Sequence, residues 1–137
     1  AFDARIEAFK AVDTVVVGCS TDTSDVHKAF MNVPQSEGGI AGIQYPLVSD
    51  ANKTISTNYD VLSGDYDYDD DGLLSADSDM VALRGLFLID KTGMVQHQLI
   101  NFYALGRSVD EALRMASALH HLQTNGEGCP ANWTPAG

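Results

Sequence analysis

The two cysteines of the chain stand in contrasting surroundings, and each surrounding predicts its own chemistry. Cys129 lies in "NGEGCPANW" (residues 125–133), where glycines and a proline indicate an exposed tail. No Lys or Arg accompanies it there, so we expect a thiol better suited to forming a disulfide than to attacking a substrate, with an incidental surface thiol as the alternative. Cys19 ends the apolar run "TVVVGC" (residues 14–19), which predicts a buried strand and a structural core cysteine.

The spacing of the cysteines and histidines predicts neither a metal site nor a dithiol redox pair. The chain has no C-x-x-C spacing, which excludes a zinc ribbon and a thioredoxin-type redox pair. The four histidines show no metal-ligand spacing with one another or with cysteine. We expect all of them to be structural: His27, His97, His120 and His121.

An acidic segment, residues 63–79, interrupts the regular pattern of the chain. It contains seven aspartates and no Lys or Arg. Asp67, Asp69 and Asp71 match the opening of a calcium-binding loop, but Ser78 stands where such a loop needs a bidentate glutamate. We therefore expect a solvated acidic hairpin, with calcium binding as the alternative.

Length and charge limit the class of protein. The 137 residues suit one domain with a modest core, and the net charge is −11. Binding a phosphate backbone needs clustered Lys and Arg, which this sequence lacks, so a nucleic-acid partner is not expected. No apolar run is long enough to span a bilayer, and residues 1–11 do not read as a signal peptide. We expect a cytoplasmic protein without a membrane partner.

Hydrophobic periodicity predicts helices that alternate with short apolar strands, which is the pattern of an α/β fold. Ser108 and Glu111 form a capping-box pattern before the most regular helix, and Asp50 is placed to cap another. "DKTG" (residues 90–93) predicts a hairpin turn. We expect four strands in one sheet with helices on both faces. The predicted elements are a helix over 2–12, a strand over 14–19, a helix over 24–32, a strand over 45–50, a helix over 51–59, strands over 82–90 and 94–100, and a helix over 108–123.

Three long segments in one order carry a resemblance to a known family. They are "HKAFMNVPQSEGGIAGIQYPLVSDANKTIS" (27–56), "LRGLFLIDKTGMVQHQLINFYALGRSVDEALRM" (83–115) and "GEGCPANW" (126–133). By these segments the chain is similar to typical two-cysteine peroxiredoxins of the bacterial alkyl hydroperoxide reductase, peroxidase-component type. The resemblance covers the C-terminal portion of that family and lacks its peroxidatic-cysteine segment.

The resemblance implies a thioredoxin-like fold, incomplete at its N-terminus, in a protein that reduces hydrogen peroxide and organic hydroperoxides through an intersubunit disulfide. Cys129 matches the resolving cysteine. Arg84 matches the active-site arginine, whose guanidinium suits a thiolate and a peroxide oxygen that gains negative charge. Arg107 also matches a family arginine, and we expect it to hold the start of the last helix. The peroxidatic cysteine is expected upstream of Ala1, so the 137 residues alone are expected to be inactive.

The same resemblance sets expectations for organisation and partners. Residues 1–124 are expected to form a partial thioredoxin-like domain with the acidic insertion, and residues 125–137 a tail that carries the resolving cysteine. The resemblance implies a homodimer, with five dimers in a decameric ring, and thioredoxin or a dedicated flavoprotein as the reductant. Neither a metal nor an organic cofactor is implied.

Two departures from the family pattern and one rival hypothesis complete the expectations. Phe30 stands where the family usually has tryptophan, and "NFYALGR" (residues 101–107) replaces the commoner "ND-L-P-LGR". The rival hypothesis is a non-catalytic thioredoxin-fold binding or chaperone-like module with a calcium-binding acidic loop.

Overall fold

The computed structural model describes residues 1–76 and 78–135, so Asp77 of the acidic segment and Ala136 and Gly137 of the tail lie outside the described residues. The described helices are α1 (Ile6–Ala11), α2 (Ser24–Met31), α3 (Thr54–Asn58) and α4 (Val109–Asn125), with 3-10 turns at Asp3–Arg5 and Gln35–Glu37. The described strands are β1 (Gly18–Ser20), β2 (Leu47–Ser49), β3 (Leu62–Ser63), β4 (Tyr66–Tyr68), β5 (Leu74–Ala76), β6 (Val81–Ala82), β7 (Arg84–Ile89) and β8 (Val95–Asn101). In this part of the chain, no helix combines the length and the apolar character needed to cross a bilayer.

The pairing of strands differs from the single four-stranded sheet that the sequence predicts. Across residues 1–76 and 78–135 the strands form four two-stranded pairs: β1 with β2 in parallel, β3 with β6 and β4 with β5 antiparallel, and β7 with β8. Of the predicted strand 14–19 only its end is paired, with Cys19 opposite Val48. The difference arises because a strand needs a neighbour to complete its hydrogen-bond ladder, and periodicity does not identify that neighbour.

The chain divides into two compact units. The first, named the Cys129 unit, combines Ala1–Val16 and Leu86–Leu99 with the chain from Arg107 onward. The second, named the Arg84 unit, combines Val17–Gly85 with Ile100–Gly106. Each unit therefore draws on separate parts of the sequence. The division into a domain over 1–124 and a tail stays a prediction.

The Cys129 unit has a small core where α1 packs on α4. Phe9 is 3% exposed and clusters with Ala112 and Ala116 of α4. Small alanines leave room for the ring, and burying a phenylalanine side chain stabilises a fold by about 1.5–3 kcal/mol. Partly buried apolar residues surround this cluster: Phe2, Val12, Val16, Leu86, Leu88, Val109 and Leu113.

Helix α4 begins and ends at signals that the sequence carries. Ser108 Oγ accepts a hydrogen bond from the backbone N–H of Glu111 at 3.2 Å, which confirms the predicted N-cap. Gly126 adopts φ = +71°, a left-handed conformation without steric cost for glycine, and its N–H donates to the carbonyl of Leu122. The chain therefore leaves the helix three residues before Cys129.

The predicted turn between β7 and β8 is held by Asp90. Its Oδ1 accepts hydrogen bonds from the N–H and hydroxyl of Thr92, at 2.9 and 2.6 Å, and from the N–H of Met94 at 3.1 Å. Gln96 Nε2 donates to its other oxygen at 2.9 Å. Hydrogen bonds from Thr92, Gln96 and Met94 hold the pKa of Asp90 far below its ordinary range. The turn therefore depends on an ionised side chain.

Asp50 anchors the start of α3 in the Arg84 unit. The residue is 2% exposed and accepts hydrogen bonds from Ile55 N at 3.0 Å and from Ser56 N and Oγ, both at 2.7 Å. The predicted side chain thus accepts from the first N–H groups of the helix, although Lys53 occupies the N-cap position and the helix begins at Thr54 rather than at residue 51. Burial alone would raise the pKa of Asp50, but the hydrogen bonds from Ser56 and Ile55, with the charge of Lys53, hold it below its ordinary value.

Replacing Asp50 with alanine is expected to lower the free energy of unfolding by about 1–3 kcal/mol, because the donors of α3 lose their buried acceptor. The folded-state pKa is below the unfolded value, so this stabilisation is present above about pH 4 and is lost as the pH falls through the folded-state pKa. Urea unfolding of the parent protein and of Asp50→Ala, across the pH range that spans both pKa values, measures the difference in their free energies of unfolding. This difference is expected to become smaller in acid. Asp25→Ala, on the exposed first turn of α2, is the matched control, and a difference that stays constant with pH would contradict this account.

The acidic segment folds as the predicted hairpin. β4 and β5 pair Tyr68 with Leu74, and Asp69 Oδ1 closes the turn by accepting from Leu73 N at 2.8 Å. The hydroxyl of Tyr68 lies 2.9 Å from Thr57 Oγ1, which joins the hairpin to α3. Among the described residues, no three His, Cys, Asp or Glu side chains are grouped to hold a metal ion, so the calcium alternative gains no support.

Candidate functional site

Cys129 is half-buried against α4, whereas the sequence predicts an exposed, loosely held thiol. Its Sγ donates a hydrogen bond to the backbone carbonyl of Ala118 at 3.5 Å. Beyond Gly126 the tail runs back along the helix, so that Trp133 lies beside His121, with ring centroids 5.2 Å apart. The prediction of a loose tail was wrong because the glycine and proline content of a segment does not report the helix surface on which it folds.

Arg114 of α4 holds the tail through a branched set of hydrogen bonds. Its Nε and Nη2 each donate to the Glu111 carboxylate at 2.7 Å, and its Nη1 donates to the carbonyl of Trp133 at 2.8 Å. The hydrogen bond with Glu111 raises the pKa of Arg114; burial opposes this rise, and the charges of Glu111 and Cys129 add to it. Arg114 is thus a cation that binds the segment carrying the thiol, and the local sequence of that segment does not show it. We refer to Glu111, Arg114 and Trp133 as the tail clasp.

A cleft of about 340 Å³ lies between α4 and the tail, within the Cys129 unit. His121 is its central polar group: Asn125 Nδ2 lies 2.9 Å from His121 Nδ1, and Glu127 lies 3.7 Å from Nε2. The lining includes the buried hydroxyl residue Ser117 and the indole of Trp133. These contacts are consistent with the structural role expected for this histidine.

Arg84 begins β7 and is exposed. Its Nε donates to the backbone carbonyl of Tyr103 at 3.0 Å. No other hydrogen bond of this guanidinium occurs within the described residues, so its terminal N–H groups can donate to a ligand. A guanidinium in this state suits a carboxylate, a phosphate or a peroxide oxygen. Its assignment as the active-site arginine stays a prediction.

Cys19 is exposed, so its prediction as a buried core cysteine was wrong. Val17 and Cys19 lie two residues apart on one face of an extended segment, and Val17 is 57% exposed. The sequence predicts that this apolar run is buried on both faces, but one face of it is exposed. Partial burial of the sulfur and the nearby Asp50 carboxylate raise the pKa of Cys19, which reduces its thiolate fraction.

The structure assigns the two predicted site residues to different units and adds groups that the sequence did not identify. Cys129 belongs to the Cys129 unit and Arg84 to the Arg84 unit, so each is described with its own contacts. Arg114 was missed, although its spacing of three from Glu111 on a helix could have indicated the ion pair. The carbonyl of Tyr103 was missed because no sequence signal marks a backbone acceptor. Together these groups offer a thiol for disulfide exchange and a guanidinium for an anionic ligand.

Comparisons with known proteins identify a family and relatives that this chain resembles. The profile of the AhpC/TSA family matches residues 1–98. The chain is 43% identical over 133 residues to alkyl hydroperoxide reductase C of Helicobacter pylori, which covers 97% of this chain and 60% of that protein. It is 40% identical over 135 residues to the mitochondrial thioredoxin-dependent peroxide reductase of Drosophila melanogaster, covering 98% of this chain and 52% of the relative.

A solved structure extends the likeness to the fold. The reduced 2-Cys peroxiredoxin of Plasmodium vivax superposes with a TM-score of 0.78 at 39% identity, covering 96% of this chain and 61% of that one. This likeness confirms the predicted thioredoxin-like α/β fold. The chain spans between 52% and 61% of the length of these three relatives.

Proposed function

The chain belongs to the AhpC/TSA family, and on that premise we propose that it supplies the resolving half of a thiol-dependent peroxidase. The observation that carries the proposal is the position of Cys129. Its thiol lies in the segment that resembles the family's resolving-cysteine motif and is held by one S–H hydrogen bond to a helix carbonyl. A thiol S–H is a weak donor, so the sulfur can leave this site at small cost.

The proposed reaction uses two sulfur atoms. A peroxidatic thiolate, on a segment outside residues 1–137, attacks the peroxide O–O bond, becomes a sulfenic acid and releases water or an alcohol. The Cys129 thiolate of the partner subunit then attacks the sulfenic sulfur and forms the intersubunit disulfide. The sulfenic hydroxyl takes up a proton and leaves as water. A dithiol reductant returns two electrons and restores both thiols. Sulfur carries all the electrons, so the reaction uses no metal or organic cofactor.

Arg84 is proposed to act in the first step. Its terminal N–H groups are not engaged by the described residues, and they can stabilise the negative charge that develops on the peroxide oxygen. The alternative for such a residue is an ordinary surface charge at the start of a strand. The hydrogen bond to Tyr103 favours the first role because it orients the guanidinium.

Assembly and reductant follow from the proposed disulfide. A bond between a peroxidatic cysteine and a partner's Cys129 requires at least a homodimer, and we extend this to a decameric ring on the family resemblance. Thioredoxin is proposed as the reductant because one relative is named a thioredoxin-dependent peroxide reductase. A dedicated flavoprotein is the other candidate. Cytoplasmic placement stays a prediction.

Peroxide consumption tests the proposal directly. We expect catalytic turnover of hydrogen peroxide by the protein that carries this chain together with its peroxidatic cysteine, supplied with thioredoxin and its reductase or with a flavoprotein reductase. Residues 1–137 alone are expected to show none, because the attacking thiolate is missing. Intact mass of the native protein, compared with the 14.7 kDa of this chain, tests whether the protein carries more than these 137 residues. A native protein of greater mass that consumes no peroxide would refute the peroxidase assignment.

The rival reading, a non-catalytic binding or chaperone-like module, is not supported by a specific contact in the described chain. Its distinguishing feature was calcium at the acidic segment, where the Asp69 carboxylate accepts hydrogen bonds from the backbone N–H groups of Asp71 and Leu73 and closes a turn.

A further inference from the structure

We propose that residues 101–106, from the last residue of β8 into the connection to α4, are the positioning element for Arg84 and act through the backbone carbonyl of Tyr103. We refer to them as the arginine loop. The inference rests on the proposed role of Arg84 in peroxide reduction, and it adds a specific residue, Asn101, that determines how well Arg84 performs that role.

The arginine loop is closed by two hydrogen bonds of its own. Asn101 Nδ2 donates to the carbonyl of Gly106 at 3.0 Å, and Leu105 N donates to the carbonyl of Phe102 at 2.8 Å. Tyr103 lies inside both closures, so the direction of its carbonyl is fixed by the loop. Among the described residues, the Asn101 side chain joins the two ends of this loop through its hydrogen bond to Gly106.

This carbonyl in turn fixes the orientation of a flexible side chain. Arg84 is exposed, and an exposed arginine loses rotamer entropy when it is held in one geometry. Donation from Nε to Tyr103 O at 3.0 Å fixes the plane of the guanidinium. The edge formed by Nη1 and Nη2 then faces away from this bond and can donate two parallel hydrogen bonds.

Holding the Arg84 guanidinium in one orientation is expected to affect the rate of the reaction with peroxide. Misplacement of a reacting or stabilising group by about 1 Å can cost roughly 100-fold in rate. Asn101→Ala removes the loop closure and leaves Arg84 itself in place. We therefore expect a partial effect, a decrease of about tenfold in kcat/KM for peroxide.

A double-mutant cycle tests whether the loop acts through Arg84. It uses Arg84→Lys, which removes the Nε donor and keeps the charge, and Asn101→Ala, each alone and together, in the protein that contains the peroxidatic cysteine. We expect Asn101→Ala to lower kcat/KM for peroxide about tenfold in the parent and to have no further effect beside Arg84→Lys. The rate of disulfide reduction by the reductant is expected to be unchanged in Asn101→Ala, and a general loss of structure would change it.

Asn32→Ala is the matched control, because Asn32 Nδ2 also donates to a backbone carbonyl, that of Lys28, at 3.1 Å outside the loop. A second readout uses the protein that contains the peroxidatic cysteine, without peroxide: nitrogen-15 NMR of the Arg84 Nε–H, whose exchange with water is expected to accelerate in Asn101→Ala and not in Asn32→Ala. Unchanged exchange, or additive losses in the cycle, would overturn the positioning role. An Arg84→Lys variant with full peroxide activity would instead refute the proposed role of Arg84, and this inference with it.

Discussion

Replacing Cys129 with serine is expected to abolish disulfide-linked dimers after peroxide treatment, while the first oxidation of the protein continues. Serine keeps the size and the hydrogen bond to Ala118 but cannot form a sulfur–sulfur bond. The peroxidatic cysteine should then stop at the sulfenic acid, because no thiol captures it. Non-reducing gels measure the dimers, and mass spectrometry after a sulfenic-acid trap measures the stalled intermediate. Steady-state turnover should fall to background.

The second cysteine of the chain provides the matched control for this experiment. Cys19→Ser removes an exposed thiol whose pKa is raised by partial burial of the sulfur and by the Asp50 carboxylate, and it should leave the dimers intact. Dimers that persist in Cys129→Ser, or that disappear in Cys19→Ser, would refute the resolving role of Cys129.

The second large effect is expected at Arg84. Arg84→Gln removes the cation and the paired N–H donors, and we expect kcat/KM for peroxide to fall about 100-fold, as when one donor to a developing negative charge is lost elsewhere. The capture of an already formed sulfenic acid by Cys129 should keep its rate, because Arg84 is proposed to act only on the peroxide. Stopped-flow kinetics with a single equivalent of peroxide separates these two steps.

A control arginine distinguishes this effect from a change of surface charge. Arg5→Gln removes an exposed cation that pairs with Asp110 at the start of α4. Exposed ion pairs contribute about 0–1 kcal/mol, so this variant should keep nearly full activity. Equal losses of activity in the two variants would show that Arg84 has no specific role.

Local signals in the sequence predicted much of the secondary structure. The helix that became α4 was placed within two residues at each end, because a serine cap and a glycine mark its ends. The turn at Asp90 and the cap at Asp50 were found for the same reason: the donors that they bind lie within six residues. The resemblance to a family, carried by long ordered segments, gave the fold class, which the comparisons confirm.

Long-range partners could not be predicted in this way. Periodicity along "TVVVGC" did not show which strand would pair with it or that Cys19 would face solvent. The contact between Arg114 and the carbonyl of Trp133 joins residues 19 apart, and so does the contact between Arg84 and the carbonyl of Tyr103. In both, an arginine meets a backbone oxygen, which any residue type supplies, so residue identity carries no signal for the acceptor.

The tail clasp has a consequence for timing. Under the proposed reaction the hydrogen bond from the Cys129 thiol to α4 must break before the disulfide forms, and Arg114, which holds Trp133, slows the release of the tail around that sulfur. During that delay a second peroxide can oxidise the sulfenic acid to the sulfinic state, which thiols do not reverse. The strength of the clasp therefore sets the peroxide concentration at which the proposed enzyme begins to inactivate itself.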